Sequence, residues 1–214
     1  MKTRILIFTF VFISFSTFSQ TDKRAQDILN GLSLKYKSLT SLKAIFSIVV
    51  ENQHDKSKQE QNGTLFLKGS KYKLQISGQD IISDGKTRWT YVKDANEVQI
   101  DNQKKDENAI SPTNIFTIYE KGWQSKYTGE KLNNKVIYQT IELIPIDLKT
   151  KNIFKVKLTI NKSVKTITSA VIYDKNGSIQ TITVNKFIAD GANDDKIYIF
   201  QTSNYPGSEV VDLR

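Results

Sequence analysis

The sequence predicts a mainly β fold laid out as an antiparallel meander, and three observations carry that expectation. Apolar residues alternate at period two over most of the chain, Val, Ile, Thr, Tyr and Phe dominate the alternating stretches, and turn-forming residues separate them at short intervals. Branched and aromatic side chains suit a pleated, half-buried surface. Asp84-Gly85 and Asn176-Gly177 supply the positive φ that tight hairpins require. Strands so closely spaced leave no room for crossover helices, which argues against a parallel βαβ sheet.

In chain order, the basic start at residues 1–4 and the apolar run Ile5 to Phe18 are too short for a comfortable bilayer span and read as a secretory signal. Small residues Thr17 and Ser19 place the cut after Ser19, giving a signal over 1–19 and one domain over 20–214; a retained anchor is the alternative. Ala25, Ile28, Leu29, Leu32 and Tyr36 recur at three- and four-residue steps, which predicts an amphipathic helix over 21–37 with Asp22 at its start. Strands are expected over 44–51, 63–68, 71–77, 79–84, 87–92, 97–101, 136–145, 154–161, 165–174, 178–189 and 197–202. Ser111-Pro112 resembles a helix N-cap, so a second short helix is expected there with Ile115, Phe116 and Tyr119 on one face. The lysine-rich stretches 55–61 and 103–108 read as polar loops, and Trp123 as a rim or packing residue.

Composition excludes several classes of function. The chain has 31 Lys+Arg against 22 Asp+Glu, and removing Lys2 and Arg4 lowers its net charge from +9 to +7. Lys71, Lys73, Lys155 and Lys157 alternate with apolar residues, as on the solvated face of strands, so no nucleic-acid partner is expected. With no cysteine there is no lipidated N-terminal cysteine, disulfide, thiol nucleophile or Cys-based zinc site. The one histidine, His54, sits in a polar loop, and neither HExxH spacing nor a nucleophile elbow occurs. No catalytic residue, metal ligand or cofactor is therefore assigned; Asp190, Asp194 and Asp195 read as solvated turn residues, with a weak calcium loop as the rival reading.

Many strands offer one apolar face. Tyr72, Leu74 and Ile76 point one way while Lys71, Lys73 and Gln75 point the other, and Phe154, Val156, Leu158 and Ile160 repeat the pattern. Such a face must be covered by a second sheet, by barrel closure or by helices. A strongly curved sheet plugged by two short helices would keep an apolar cavity; an ordinary filled sandwich or barrel is the alternative, and alternation alone does not separate them.

Specific strings add to this reading. Ile81-Ile82-Ser83-Asp84-Gly85-Lys86-Thr87-Arg88-Trp89-Thr90-Tyr91 resembles the hydrophobic-Ser-Asp-Gly-Lys-x-x-Trp-x-Tyr hairpin of the LolA family of periplasmic lipoprotein carriers. In family order there follow similarities at the N-terminal helix, Ala44-Ile45-Phe46, Gly63-Thr64-Leu65-Phe66-Leu67-Lys68, Lys71-Tyr72-Lys73-Leu74, Ser111-Pro112, Leu143-Ile144-Pro145 and Tyr205-Pro206-Gly207-Ser208-Glu209-Val210-Val211-Asp212. The resemblance implies an incomplete, strongly curved antiparallel β barrel with short helices covering its concave apolar face. It also implies a non-enzymatic, monomeric carrier in the periplasm that takes acylated lipoproteins as cargo from an inner-membrane ATP-driven extraction complex and shuttles them to the outer membrane, where an acceptor is left open.

By strand parity and family position the expected acyl-chain lining is Phe46, Ile48, Leu65, Leu67, Tyr72, Leu74, Trp89, Tyr91, Leu143, Val156 and Leu158. The expected helical lid is Ile28, Leu29, Leu32, Ile115, Phe116 and Tyr119. One departure bears on the lid: the family's Arg-Pro is replaced by Lys68-Gly69 or Gly69-Ser70, so its latch has no counterpart there. Two other readings compete, a LolA-fold module that binds or senses lipoproteins without transport, and a small-molecule enzyme on the same fold.

Overall fold

The computed structural model describes residues 22–103, 110, 113–149 and 151–214; the expected signal segment and the Ser111-Pro112 cap lie outside the described residues. One helix, α1 (Lys23–Lys37), precedes twelve strands: β1 (Leu42–Asn52), β2 (Lys58–Lys68), β3 (Lys71–Ile76), β4 (Gln79–Ser83), β5 (Thr87–Val92), β6 (Glu97–Asn102), β7 (Trp123–Asn133), β8 (Val136–Pro145), β9 (Ile153–Asn161), β10 (Thr166–Asp174), β11 (Ser178–Ala189) and β12 (Glu209–Asp212). All twelve join one sheet in the order β12-β6-β5-β4-β3-β2-β1-β11-β10-β9-β8-β7, which does not close on itself. Every ladder is antiparallel except β12 on β6.

The order has a direct consequence for the site. The chain first meanders outward from the middle of the sheet through β1 to β6, then makes a second meander, β7 to β11, that returns to pair β11 with β1 from Leu42↔Ala189 to Asn52↔Ser178. Consecutive strands β6 and β7 thus lie on opposite sides of the sheet. Of the connection between them, Ile115, Phe116 and Tyr119 are buried in the same core as α1. Its described residues 113–122 form a strap over the concave face.

That face holds the main core. Leu65, Leu74 and Ile81 are successive cross-strand partners on β2, β3 and β4, and Ile182, Ala170, Leu158 and Ile141 are their counterparts on β11, β10, β9 and β8. Directly opposed residues of an antiparallel ladder share a face, so each row is a continuous apolar stripe. Helix α1 presents Ala25, Leu29, Leu32 and Tyr36 to it.

The sheet is not one-sided along its length. Ile82 and Val98 are buried apart from the main core, together with Ala192, Tyr198 and Tyr205 of the segment after β11. The Tyr205 hydroxyl donates to Asp80 (3.1 Å), its ring lies 4.6 Å from Tyr91 and stacks on Phe200 at 5.1 Å, and Lys68 and Lys71 both pair with Asp195 (3.1 and 3.0 Å). The expected strand over 197–202 belongs to this cover and is a correction. It forms two 3-10 turns, Asp195–Tyr198 and Thr202–Asn204, because the Asp194 carboxylate caps the first turn and the Tyr198 hydroxyl donates to the Ala192 carbonyl (2.7 Å).

Two other expectations are corrected, and one strand appears that was not expected. The second helix reduces, among the described residues, to turns carrying Ile115 and Phe116 and one 3-10 turn, Ile118–Glu120. Residues 58–61, expected in a loop, extend β2 to pair with β1. Trp123 opens β7, an edge strand that the sequence hid because only alternate, mixed residues face inward and Gly129 breaks the register after Tyr127. Its exposed Lys126 and Glu130 are charges that discourage edge-to-edge pairing.

Candidate functional site

The concave face offers an apolar trough closed by α1 and the strap. From the sheet, Ala44, Phe46, Leu65, Ile182 and Val184 line a small hollow, and Ile115 and Phe116 reach into it from the strap. Phe46 pairs opposite Gly63, whose missing side chain admits its ring: a Cβ there would strike the Phe46 ring, the Gln75 carbonyl oxygen (2.8 Å) and Ile76 (2.9 Å). The cavity volume is about 10 Å³, room for about one water. Pockets for drug-sized ligands run about 300–1,000 Å³, so the trough is closed in this conformation.

The cover is held by few and separable contacts. Tyr36 of α1, Phe116 of the strap and Phe187 of β11 form an aromatic triangle with centroid separations of 5.0, 5.9 and 6.0 Å. The buried Ile167 N–H of β10 donates to the Tyr36 hydroxyl (2.8 Å), and burial pushes the Tyr36 phenol well above its ordinary value. Asp22 accepts from Ala25 N–H (3.1 Å) as helix cap and from Tyr127 N–H (2.7 Å) on edge strand β7, and these bonds hold its carboxyl below the ordinary range. Arg24 lies 3.8 Å over the Tyr127 ring and pairs with Glu130 at 3.3 Å. Glu120 of the strap accepts from the Ser33 hydroxyl and pairs with Lys37 (3.0 Å), which lowers its pKa in the same sense. One group opposes closure: the Tyr119 hydroxyl is buried without a hydrogen-bond partner. Such a group costs on the order of 1–3 kcal/mol until water reaches it.

Most of the expected lining residues share the core cluster. Phe46, Leu65, Leu74, Leu143, Val156 and Leu158 are buried in it, with Ile48, Leu67 and Tyr72 packed against it. Leu29, Leu32, Ile115, Phe116 and Tyr119 of the expected lid are buried there too, with Ile28 at the margin. Trp89 and Tyr91 stand apart. Trp89 pairs with Ile82 and Tyr91 with Asp80, one position out of phase with the Leu65–Leu74–Ile81 row, so the register sets both on the convex face, where Tyr91 meets Tyr205 of the C-terminal cover. Alternation fixed which residues of β5 share a side but not which side is the trough. Sequence reasoning missed Ala44, Ile182, Val184 and Phe187; their alternation within predicted strands was the available signal.

The acidic turn after β11 is engaged in structure. Asp190 accepts from Thr40 N–H (2.9 Å), Thr40 hydroxyl (2.7 Å) and Ser41 N–H (3.3 Å), while Asp194 caps a turn and Asp195 meets two lysines. Among the described residues no group of three or more His, Cys, Asp or Glu could hold a metal ion, and no helix is long and apolar enough to cross a membrane.

Compared with known families, residues 37–201 match the family described as outer membrane lipoprotein carrier protein LolA. The chain belongs to the LolA family. Among solved structures it is similar to an uncharacterized conserved protein from Thermus thermophilus, with TM-score 0.58, 13% identity and 89% of this chain and 99% of that one covered. The LolA superfamily protein from Nitrosomonas europaea gives 0.45 at 15% identity over 82% and 97%, and lipoprotein LppX of Mycobacterium tuberculosis gives 0.48 at 15% over 80% and 98%. No curated protein matches. The match runs through β1 to β11, the strap and the segment after β11 as far as Gln201; β12 and all of α1 but its last residue lie outside it.

Proposed function

We propose that this LolA-family chain is a periplasmic carrier that holds lipoprotein acyl chains in the trough after Ile115 and Phe116 swing out of it, and delivers them to the outer membrane. The observation that supports this most is that the strap supplies one wall of the hollow: Ile115 and Phe116 line it together with the sheet, and they belong to a connection tied down by polar contacts and one aromatic triangle. Each methylene removed from water contributes about 0.8 kcal/mol, so ten methylenes offer about 8 kcal/mol. Closing contacts that must be broken offset part of that gain, which keeps binding reversible. In this reading Leu65, Leu74, Leu143, Val156 and Leu158 bear on the chain, no side chain acts catalytically, the protein works as a monomer, and an inner-membrane ATP-driven complex supplies the cargo.

The test is capture of a triacylated lipopeptide by the chain from Gln20 onward, followed by native mass spectrometry, with the same peptide lacking acyl groups as comparison. One lipopeptide per chain, no unacylated peptide, and onward transfer to outer-membrane vesicles are expected. Equal binding of both peptides would refute acyl-chain recognition, and capture without transfer would point to a sensing module.

A further inference from the structure

The loop between β8 and β9 and the strand ends beside it carry apolar side chains that the core does not use. Ile144, Ile146, Leu148 and Phe154 are 38%, 65%, 50% and 44% exposed, all within one short stretch of chain. Hydrogen bonds tie described residues of this stretch to neighbouring segments. The Ile146 N–H donates to the Gly122 carbonyl (3.0 Å), Lys175 on the neighbouring turn donates its backbone N–H to the Asn152 carbonyl (2.8 Å), and the Lys175 ammonium bonds the Leu148 carbonyl. At its base stand half-buried Trp123, with Lys151 5.3 Å over its ring, and the Phe154–Tyr173 pair at 5.8 Å.

Five lysines lie in or beside this stretch: Lys149 and Lys151 within it, Lys155 next to Phe154, Lys121 next to the Gly122 that binds Ile146, and Lys175 on the Leu148 carbonyl. The acids nearby are Asp147, whose carboxylate accepts from Lys149 N–H, Glu142, paired with Lys155 at 3.4 Å, and Asp174, so the balance is positive. We propose that this loop docks the protein on the surface of an anionic lipid bilayer, Ile146 and Leu148 entering the headgroup boundary while the lysines meet lipid phosphates. Apolar side chains flanked by lysines and aromatic rings are the composition that favours a membrane interface. A protein-binding patch would be depleted in lysine instead. Each lysine brought to an anionic surface raises affinity about fivefold. The surface lies outside the trough and does not depend on the carrier reading.

Co-sedimentation tests the proposal, using the chain from Gln20 onward because the apolar run at 5–18 would itself bind lipid. The protein is expected to pellet with vesicles containing phosphatidylglycerol, to do so far less with phosphatidylcholine alone, and to be released by high salt. The double variant Ile146→Glu, Leu148→Glu should lower binding by about tenfold or more, as should the milder Ile146→Ser, Leu148→Ser, whereas Ile199→Glu on the convex side should bind as the unaltered chain. Absence of binding to anionic vesicles, unchanged binding by both double variants, or equal loss with Ile199→Glu would overturn it. Binding confined to vesicles carrying inner-membrane proteins would do so as well and would assign the loop to a protein partner. Lipopeptide capture measured on the same variants should stay constant, which separates failure of this docking surface from failure of the carrier reading.

Discussion

Tyr36→Phe isolates one tie between the cover and the sheet. The phenol oxygen of Tyr36 accepts the Ile167 N–H at 2.8 Å, and the two residues are only 9% and 1% exposed. Phenylalanine keeps the ring, and with it the contacts to Phe116 and Phe187, but leaves a buried amide donor unpaired. An orphaned buried donor costs on the order of 1–3 kcal/mol, and the cost falls on the closed state alone if water reaches Ile167 once α1 lifts. That free energy corresponds to an opening equilibrium shifted about 5- to 150-fold. Two assays read it together. Urea unfolding should show lower stability by about 1–3 kcal/mol with the m-value unchanged, and titration with an acylated fluorescent probe should show tighter apparent binding, because less is spent on displacing the cover. Lower stability with probe affinity unchanged would mean that α1 does not move, and stability within about 0.5 kcal/mol of the parent would mean that the bond contributes nothing.

Leu32→Ala, at a position 1% exposed between α1 and the trough, should lose about 2–5 kcal/mol in chemical denaturation. Gly63→Ala should lose about 1–3 kcal/mol in the same measurement, since its Cβ would displace Phe46 against fixed backbone at Gln75. Trp89→Ala should leave acyl-probe affinity unchanged while Leu65→Ala weakens it, because register sets Trp89 on the far side of the sheet; fluorescence titration of both variants decides. Asp22 and Glu120 both have carboxyls held below their ordinary values, so the stability they give the cover is fully present above the ordinary carboxylate range and is lost as pH falls through and below it. Amide exchange in α1 should accelerate on acidification below about pH 4, and Asp22→Asn should remove part of that dependence.

The elements with strong periodicity were legible. Helix α1 and ten of the twelve strands stand where alternation and Asp-Gly or Asn-Gly turns placed them, often to the residue, as in 87–92, 136–145 and 178–189. What escaped depends on partners distant in sequence. β7 reads as a polar stretch because an edge strand has one ladder partner and a solvated outer side. Ile197 and Ile199 alternate as in a strand, but no ladder position awaits them, and Tyr198 is fixed by a carbonyl six residues earlier. Trp89 and Tyr91 show the limit most plainly: period two sorts a strand into two sides, and only the full register tells which side meets α1. The latch was equally hidden, since Asp22, Glu120 and Tyr36 find their partners some 80 to 130 positions away.

Joining the first meander to the last through β1 and β11 also sets an order of assembly. Each half can zip up from its own hairpins, where contacts are local and loop closure is inexpensive. Pairing Leu42 with Ala189 closes a far longer loop, and until it forms, the two ends of the 103–122 connection have no common surface to rest on. The strap therefore settles last. Before that pairing forms the greasy inner wall is bare, so the segment that covers the finished trough is also the one that ends the chain's exposure to aggregation.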